Sequence, residues 1–284
     1  MQSLQFLIDM ISKGRKLHIS IWDLTGILDT PSRKIAFKNV IHSKTFCDIA
    51  KSTEKGYRSC LRCKALANTK AITSRQPFCG HCIYGIYEAA LPVIIGDTVA
   101  AIVYVGNAIL DINQTKSRIE KVCRYSNVDI EKLYEQTKEC EYIDNDAEII
   151  NIAEFVCDYI KMLHQVKQKK PTELHWLVTA LKQHADQKYC FNPTLKELSV
   201  LYHKNEKYMG RLFKEKMGMT FHQYCLLLRL QKAEELLLRT PDKIIDIALE
   251  CGFNNISYFN RTFKTHYGIT PSKYIRLKNP ECEF

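Results

Sequence analysis

Hydrophobic positions recur with two different periods along the first half of the chain. Leu4, Leu7, Ile8 and Ile11 share one face of a helix that ends near Gly14. Leu17, Ile19 and Ile21 alternate with polar residues, as in a strand. Asp23 and Gly26 mark a turn, and Ile27-Leu28 start a return strand. Helices follow over 45–52 and 55–73, and Glu88 to Leu110 reads as two strands with Gly96-Asp97 as their hairpin turn. Strands first, helices inserted and then a hairpin predict an α+β sensor-like domain. Ile149, Ile152, Val156, Tyr159 and Leu163 recur at spacings of 3, 4, 3 and 4, an a/d stripe. Such a stripe fits packing on its own domain or pairing with a second copy as a homodimer, and its place directly before a polar linker favours the dimer helix. The polar run HQVKQKKP, His164 to Pro171, is the natural boundary.

Beyond that boundary the period is helical throughout. Leu174, Leu177, Val178 and Leu181 line one helix, and Asn192-Pro193-Thr194 starts the next, which carries Leu195, Leu198 and Leu201. After a turn at His203-Lys204-Asn205, a helix from Glu206 to Met217 buries Met209, Leu212 and Phe213. Tyr224 to Leu238 reads as a long helix, and Pro241 starts another. In the stretch from Ile244 to Arg276, Gly252 ends one helix and Asn254-Asn255 cap the next, where Phe259 and Phe263 share a buried side. Asn205-x-x-Tyr208-Met209-x-Arg211-x-Phe213-Lys214 parallels Asn255-x-x-Tyr258-Phe259-x-Arg261-x-Phe263-Lys264 at a constant offset of 50 residues. One helix-turn-helix is therefore present twice. The layout is a sensor over 1–165, a linker over 166–173 and an all-α domain of two helix-turn-helix units over 174–280.

Composition changes this picture little. The 284 residues suit two domains. The net charge of +10 divides evenly: 171–284 hold 17 Lys/Arg against 12 Asp/Glu, and 1–170 hold 24 against 19. Net charge alone does not locate a polyanion site, but Cys251 to Pro280 carries five Lys/Arg and no acid. No apolar run reaches about 18 residues and the start lacks a signal-peptide pattern, which predicts no membrane span and a cytoplasmic protein. No nucleophile–base pattern, phosphate-cradling glycine loop or His-containing zinc motif supports an enzyme; Cys47 near His42 comes closest.

The spaced set Ile244, Asp246, Ile247, Ala248, Gly252, Phe253, Ser257, Tyr258, Phe259, Arg261, Phe263, Lys264, Gly268, Thr270, Pro271 and Tyr274 resembles the signature of AraC/XylS-type transcription regulators. The resemblance implies that one chain reads two consecutive major grooves of double-stranded DNA, with RNA polymerase as a further partner of an activator. Helix geometry turns Lys207, Gly210 and Arg211 of the first reader toward bases, and Ile256, Ser257, Asn260 and Arg261 of the second. Lys214 and Lys264 suit phosphates. The two arginines have a rival role, bridging to an acid within the domain.

A second resemblance covers roughly residues 5–165. Asp23-x-x-Gly26, Phe46-Cys47, Gly56-x-x-x-Cys60, Cys82-x-x-Gly85-Ile86-x-Glu88-x-x-x-Pro92-Val93 and Gly106 are similar to the PocR sensory domain, a PAS-related module. Where that family usually has His after the cysteine at Cys82, this chain has Ile83, with His81 before it. The resemblance implies sensing of a small polar molecule such as a diol or polyol. Trp22, Cys47, Tyr84 and Glu88 are the candidate ligand residues: two amphipathic walls, a thiol and a hydroxyl acceptor, although both aromatics also suit a core. The chain has 12 cysteines. Cys60-x2-Cys63-x15-Cys79-x2-Cys82 has the spacing of a four-thiolate zinc or iron–sulfur site, and simple burial of the four competes with it. The main reading is a ligand-controlled, sequence-specific DNA-binding regulator. The alternative is a metal- or redox-responsive one that senses through these four cysteines, including a redox pair of Cys60 and Cys82.

Overall fold

The structure, a computed structural model, describes residues 2–40, 42, 44–165 and 175–278. The chain divides into two compact units, Met1–Trp176 with Ser199–Lys204, and Leu177–Leu198 with Asn205–Phe284. The linker expected at 166–173 lies outside the described residues.

The first unit runs α1 (Leu4–Ser12), β1 (His18–Asp23), α2 (Thr45–Ala50), α3 (Glu54–Ser74), β2 (Phe78–His81), β3 (Tyr87–Ile95), β4 (Thr98–Ile109), α4 (Ile112–Ser126), α5 (Ile130–Gln136), β5 (Glu141–Tyr142) and α6 (Ala147–Gln165). The strands form one open sheet in the order β1-β4-β3-β2, antiparallel, with β5 pairing in parallel with the end of β4. Side chains alternate across it. Ile19, Ile21, Ala89, Leu91, Val93, Ala101, Val103 and Val105 point to one face. There they meet Leu4 and Ile8 of α1 and Ile149, Val156, Ile160 and Leu163 of α6. Their neighbours in sequence, among them Ser20, Tyr104 and Glu88, point to the opposite face, where α3 packs over β3 and β4.

Two expectations change here. The a/d stripe of α6 lies on its own sheet: Ile149, Val156 and Leu163 are fully buried, and Ile152 and Tyr159 pack against the same core. Ile27-Leu28 form no return strand. The Asp23 carboxylate accepts the backbone N–H of Thr25 (3.0 Å), Gly26 (2.7 Å), Ile27 (3.1 Å) and Leu28 (3.0 Å), so those donors are unavailable to a ladder.

The remaining helices are α7 (Trp176–Lys188), α8 (Leu195–Tyr202), α9 (Glu206–Met217), α10 (Phe221–Arg239), α11 (Ile244–Glu250), α12 (Ile256–Tyr267) and α13 (Pro271–Lys278). The offset of 50 extends to the caps. Asn205 and Asn255 accept the N–H of Tyr208 and Tyr258 (3.1 and 3.0 Å), and Gly218 and Gly268 end the two 12-residue helices with positive φ. α11 begins at Ile244 rather than at Pro241. Its exit needs Gly252, whose φ is +88° and where a Cβ would lie 2.2 Å from the Cys190 carbonyl oxygen.

Among the described residues no helix is long and apolar enough to cross a membrane. Asp23→Ala is expected to lower the unfolding free energy by about 3 kcal/mol, because four amides, those of buried Ile27 and Leu28 among them, lose their acceptor, and Asp23→Asn by less. Urea unfolding of the full chain measures both.

Candidate functional site

The two reading helices expose one side and bury the other. In α9, Met209 and Phe213 are buried while Lys207, Arg211 and Lys214 are exposed. In α12, Phe259 and Phe263 are buried while Ser257, Asn260, Arg261 and Lys264 are exposed. The aromatic rear fixes each helix: Phe213 meets Phe221 and Tyr224 at centroid distances of 5.4 and 5.8 Å, and Phe263 meets Tyr274 at 5.5 Å. A tyrosine braces each unit to the helix behind it. The Tyr224 hydroxyl donates to Asp186 of α7 (2.6 Å), and those of Tyr267 (2.9 Å) and Tyr274 donate to Glu234 of α10.

Among the described residues no ion pair joins Arg211 or Arg261 to a carboxylate, and Arg261 lies over the Tyr258 ring at 5.7 Å. Arg239 pairs with Glu235 on α10 (2.8 Å), and Arg229, a residue without a reading-helix signal, ties α10 to a backbone carbonyl. It is buried and donates from Nε and Nη2 to the Tyr189 carbonyl (2.8 and 2.7 Å). Ile256 is half-buried against the core and has less surface for a base than expected. Gly210 serves packing, because a Cβ there would stand 3.3 Å from Leu195 Cδ1.

In the first unit a polar network occupies the sheet face beneath α3. Lys64 Nζ of α3 lies 2.9 and 3.1 Å from the two Glu88 oxygens and 3.4 Å above the centre of the Tyr104 ring. His42 Nε2 stands 3.3 Å from Glu88. The Tyr104 hydroxyl donates to Asn68 (2.6 Å). The side chains of Glu88, Lys64 and His42 keep 12, 14 and 17% of their surface, so the cluster is buried yet reachable. Gly80 faces Glu88 across β2–β3, and a Cβ there would meet nothing within 4 Å. Burial, with the charges of Lys64, His18 and Lys51, pushes His42 well below the ordinary histidine range. It is neutral at pH 7.

Comparison with known proteins agrees in both halves. A family model described as a sensory domain found in PocR matches residues 1–168. A helix-turn-helix domain model matches residues 198–277. The chain belongs to the AraC/XylS-type regulators that carry a PocR-type sensory domain. It is similar to the transcriptional regulator MtrA of Neisseria gonorrhoeae (38% identity over 22% of this chain and 21% of the relative). It is also similar to the transcriptional activator RhaR of Salmonella schwarzengrund (29% over 39 and 38%). The chain thus spans well under half the length of these curated relatives. Among solved structures, the C-terminal domain of AraT from Geobacillus stearothermophilus matches at 28% identity, covering 37% of this chain and 88% of that one, with a TM-score of 0.36. The matches thus assign a helix-turn-helix domain to the C-terminal half and a PocR-type sensory domain to the N-terminal half.

In this regulator the four-cysteine metal site does not form. Cys79 lies opposite Ala89 and points to the α6 side of the sheet, beside Tyr87 and Asp146. Cys82 packs on the other side with Cys47, in the small core of α2, α4 and α5. Among the described residues no three His, Cys, Asp or Glu side chains are placed to hold a metal ion, so the zinc or iron–sulfur expectation at Cys60, Cys63, Cys79 and Cys82 is corrected. Burial raises the Cys82 thiol well above its ordinary value, which leaves little thiolate for exchange with Cys60.

The candidate ligand residues separate as well. Tyr84 is buried in the same small core, its hydroxyl donating to the Ala50 carbonyl (3.1 Å). Trp22 aligns with Ile102, whereas Glu88 abuts Gly106, four residues or about 13 Å further along β4. Cys47 lies close enough to Glu88 for that charge, with burial, to help push its thiol up to about 12. Lys64, His42, Asn68 and Tyr104 carry no motif that marks them in the sequence.

The histidine gives a pH signature. Its folded pKa lies below the unfolded value of about 6.5, so the unfolded chain binds the extra proton first and stability falls as pH drops below about 6.5. Urea titrations are expected to show this loss, at up to about 1.4 kcal/mol per pH unit, and His42→Gln is expected to remove that share of the slope.

Proposed function

We propose that this chain is a cytoplasmic transcription activator that grips two consecutive major grooves with α9 and α12 and responds to a small, hydroxyl-rich molecule at the Glu88–Lys64–His42 cluster. The observation that carries the DNA half is the pair of identically capped helices with bare, basic-polar faces. Ser257, Asn260 and Arg261 supply base-edge partners in the second reader, and Lys207 and Arg211 in the first, while Lys214 and Lys264 take phosphates. Glu206 replaces Ile256 in the exposed first turn of α9, where it repels the DNA backbone. The second reader therefore sets more of the sequence preference. RNA polymerase is the natural further partner of an activator, the role that the name RhaR states for that relative.

The sensor reading rests on the reachable polar cluster. Glu88 accepts from hydroxyls, Lys64 donates to them, and Gly80 leaves room beside Glu88. Diols and polyols are the ligand class that matches a paired acceptor and donor.

Arg261→Ala is expected to cost about 1–3 kcal/mol of discrimination between operator and scrambled DNA, and Arg211→Ala less. Lys264→Ala should weaken both DNAs alike and flatten the salt slope by about one unit. Fluorescence anisotropy across a salt series measures these, and the reverse ranking of the two arginines would sink the assignment. For the sensor, a thermal-shift screen of diols and polyols should yield a stabilising ligand whose effect is lost in Glu88→Gln and Lys64→Met. A ligand that stabilises both variants as it does the wild type binds elsewhere.

A further inference from the structure

The offset of 50 that relates the two helix-turn-helix units holds at their caps and fails at their turns. The second unit leaves α11 through Gly252, the left-handed residue of that turn. Its counterpart in the first unit is Tyr202, and there the left-handed residue is His203, with φ of +49°. A side chain is disfavoured in that conformation, and such a residue persists where its surroundings hold it.

The two turns are held by different partners. The second is held within its own unit: the Gly252 carbonyl accepts from Asn192 (3.3 Å), and the Phe253 ring packs on Phe259 with centroids 5.0 Å apart. For the first, Ser199–Lys204, the end of α8 and the start of the turn, form one compact unit with the sensor residues. The last carbonyls of a helix have no partner within it. Asn68 of α3 is fully buried and supplies one: its Nδ2 donates to the Leu201 carbonyl (2.9 Å), while its Oδ1 accepts the Tyr104 hydroxyl (2.6 Å). The adjacent Thr69 hydroxyl donates to the Ala65 carbonyl (2.9 Å), which leaves its oxygen to accept from His203 Nε2 (3.0 Å). Tyr202 is buried against Trp22 of β1, with ring centroids 5.1 Å apart. Leu201, Tyr202 and His203 thus each have a partner in the sensor.

We propose that this clasp is the device by which the sensor governs the first reader and not the second. It rests on the reading of α9 and α12 as DNA readers. Tyr104 links the clasp to the polar cluster, because Lys64 lies over its ring and its hydroxyl orients Asn68. A molecule that moves Lys64 disturbs the group that holds Asn68, and through it the end of α8. The turn before α9 then loosens, whereas the turn before α12 keeps its own support.

Amide hydrogen exchange of the full chain tests the clasp without DNA. The His203 and Lys204 amides close the first turn on the Val200 (3.4 Å) and Ser199 (3.0 Å) carbonyls. Thr69→Val should speed their exchange about five-fold, the worth of one hydrogen bond, and leave the Gly252 and Phe253 amides unchanged. Tyr104→Phe should do the same through Asn68. Thr73→Val, the same substitution one turn along α3, where the hydroxyl bonds the Thr69 and Lys70 carbonyls, should change neither turn. In anisotropy titrations with a mixed-sequence duplex, Thr69→Val should weaken binding by the same factor in the wild type and in Arg261→Ala, and by less in Arg211→Ala. Wild-type exchange at the first turn of Thr69→Val would overturn the proposal, as would equal acceleration at both turns, or a Thr69→Val effect on DNA that is lost with Arg261→Ala instead. Wild-type exchange in Tyr104→Phe would reject the link to the polar cluster; should that variant fail to fold by circular dichroism, Thr69→Val decides. Faster exchange at the first turn, with DNA affinity indifferent to both arginines, would refute the assignment of the readers and leave the clasp standing.

Discussion

The two-residue period of β4 divides the sensor half into two chemistries. One set of its side chains, Ala101, Val103 and Val105, is fully apolar and is sealed by α1 and α6. The other includes Tyr104 and the bare backbone of Gly106, against which Glu88 rests. A slip of one residue in register would drive Tyr104 and Glu88 into the apolar core and expose its valines, so the register is strongly held. The polar network beneath α3 depends on that placement. Lys64 and Asn68 on α3 and His42 on the loop before α2 are buried without large cost because Glu88 and Tyr104 meet them.

The DNA-binding half uses a different constraint, applied twice. A reading helix must be held from behind only, because its front belongs to DNA. Asn caps one end, Gly closes the other, and aromatic rings fill the rear. The tyrosines add a polar brace. Tyr224 binds an acid of α7, and Tyr274 binds an acid of α10, so the long helix between the readers backs the second unit as α7 backs the first. Burial and the Glu234 carboxylate raise the Tyr267 hydroxyl, and Glu234 does the same to Tyr274, so both stay protonated donors.

How much of this was legible follows from which residues fill each buried face. The second half was readable nearly to the residue, because its buried positions are Phe, Leu, Met and Tyr at helical spacing and its caps are Asn and Gly. The helices α4 and α5 escaped notice. Of the buried residues of α4, Ile119 and Val122 are apolar, but Thr115 and Ser126 are not, so no apolar stripe marks the helix. β2 escaped because Cys79 and Cys82 looked like one half of a chelate, when the strand sends Cys79 to the opposite side of the sheet. Spacing reports how close thiols are along the chain and nothing about the face to which each points. Lys64 was invisible for a related reason. A lysine on a charged helix reads as solvated, and only the carboxylate of Glu88, 24 positions away, makes its burial tolerable.

The same ion pair bears on what kind of effector the proposed sensor can obey. To move a two-state equilibrium from 1:99 to 99:1 a ligand must favour one state by about 5.5 kcal/mol. A hydrogen bond to a charged group contributes about 1.5–3 kcal/mol. One hydroxyl on Glu88 is therefore too little, and two or three contacts shared among Glu88, Lys64 and a neutral His42 are enough. Only the state that keeps the three side chains within reach of one molecule collects those contacts, and that difference is what a switch requires. Because Lys64 already answers Glu88, a ligand that serves one of them alone would strand the other's charge in a buried site. An effector of the proposed class therefore donates to Glu88 and accepts from Lys64 at once; a single hydroxyl must do both through one oxygen, whereas adjacent hydroxyls can turn one to each and add the contacts that one oxygen lacks.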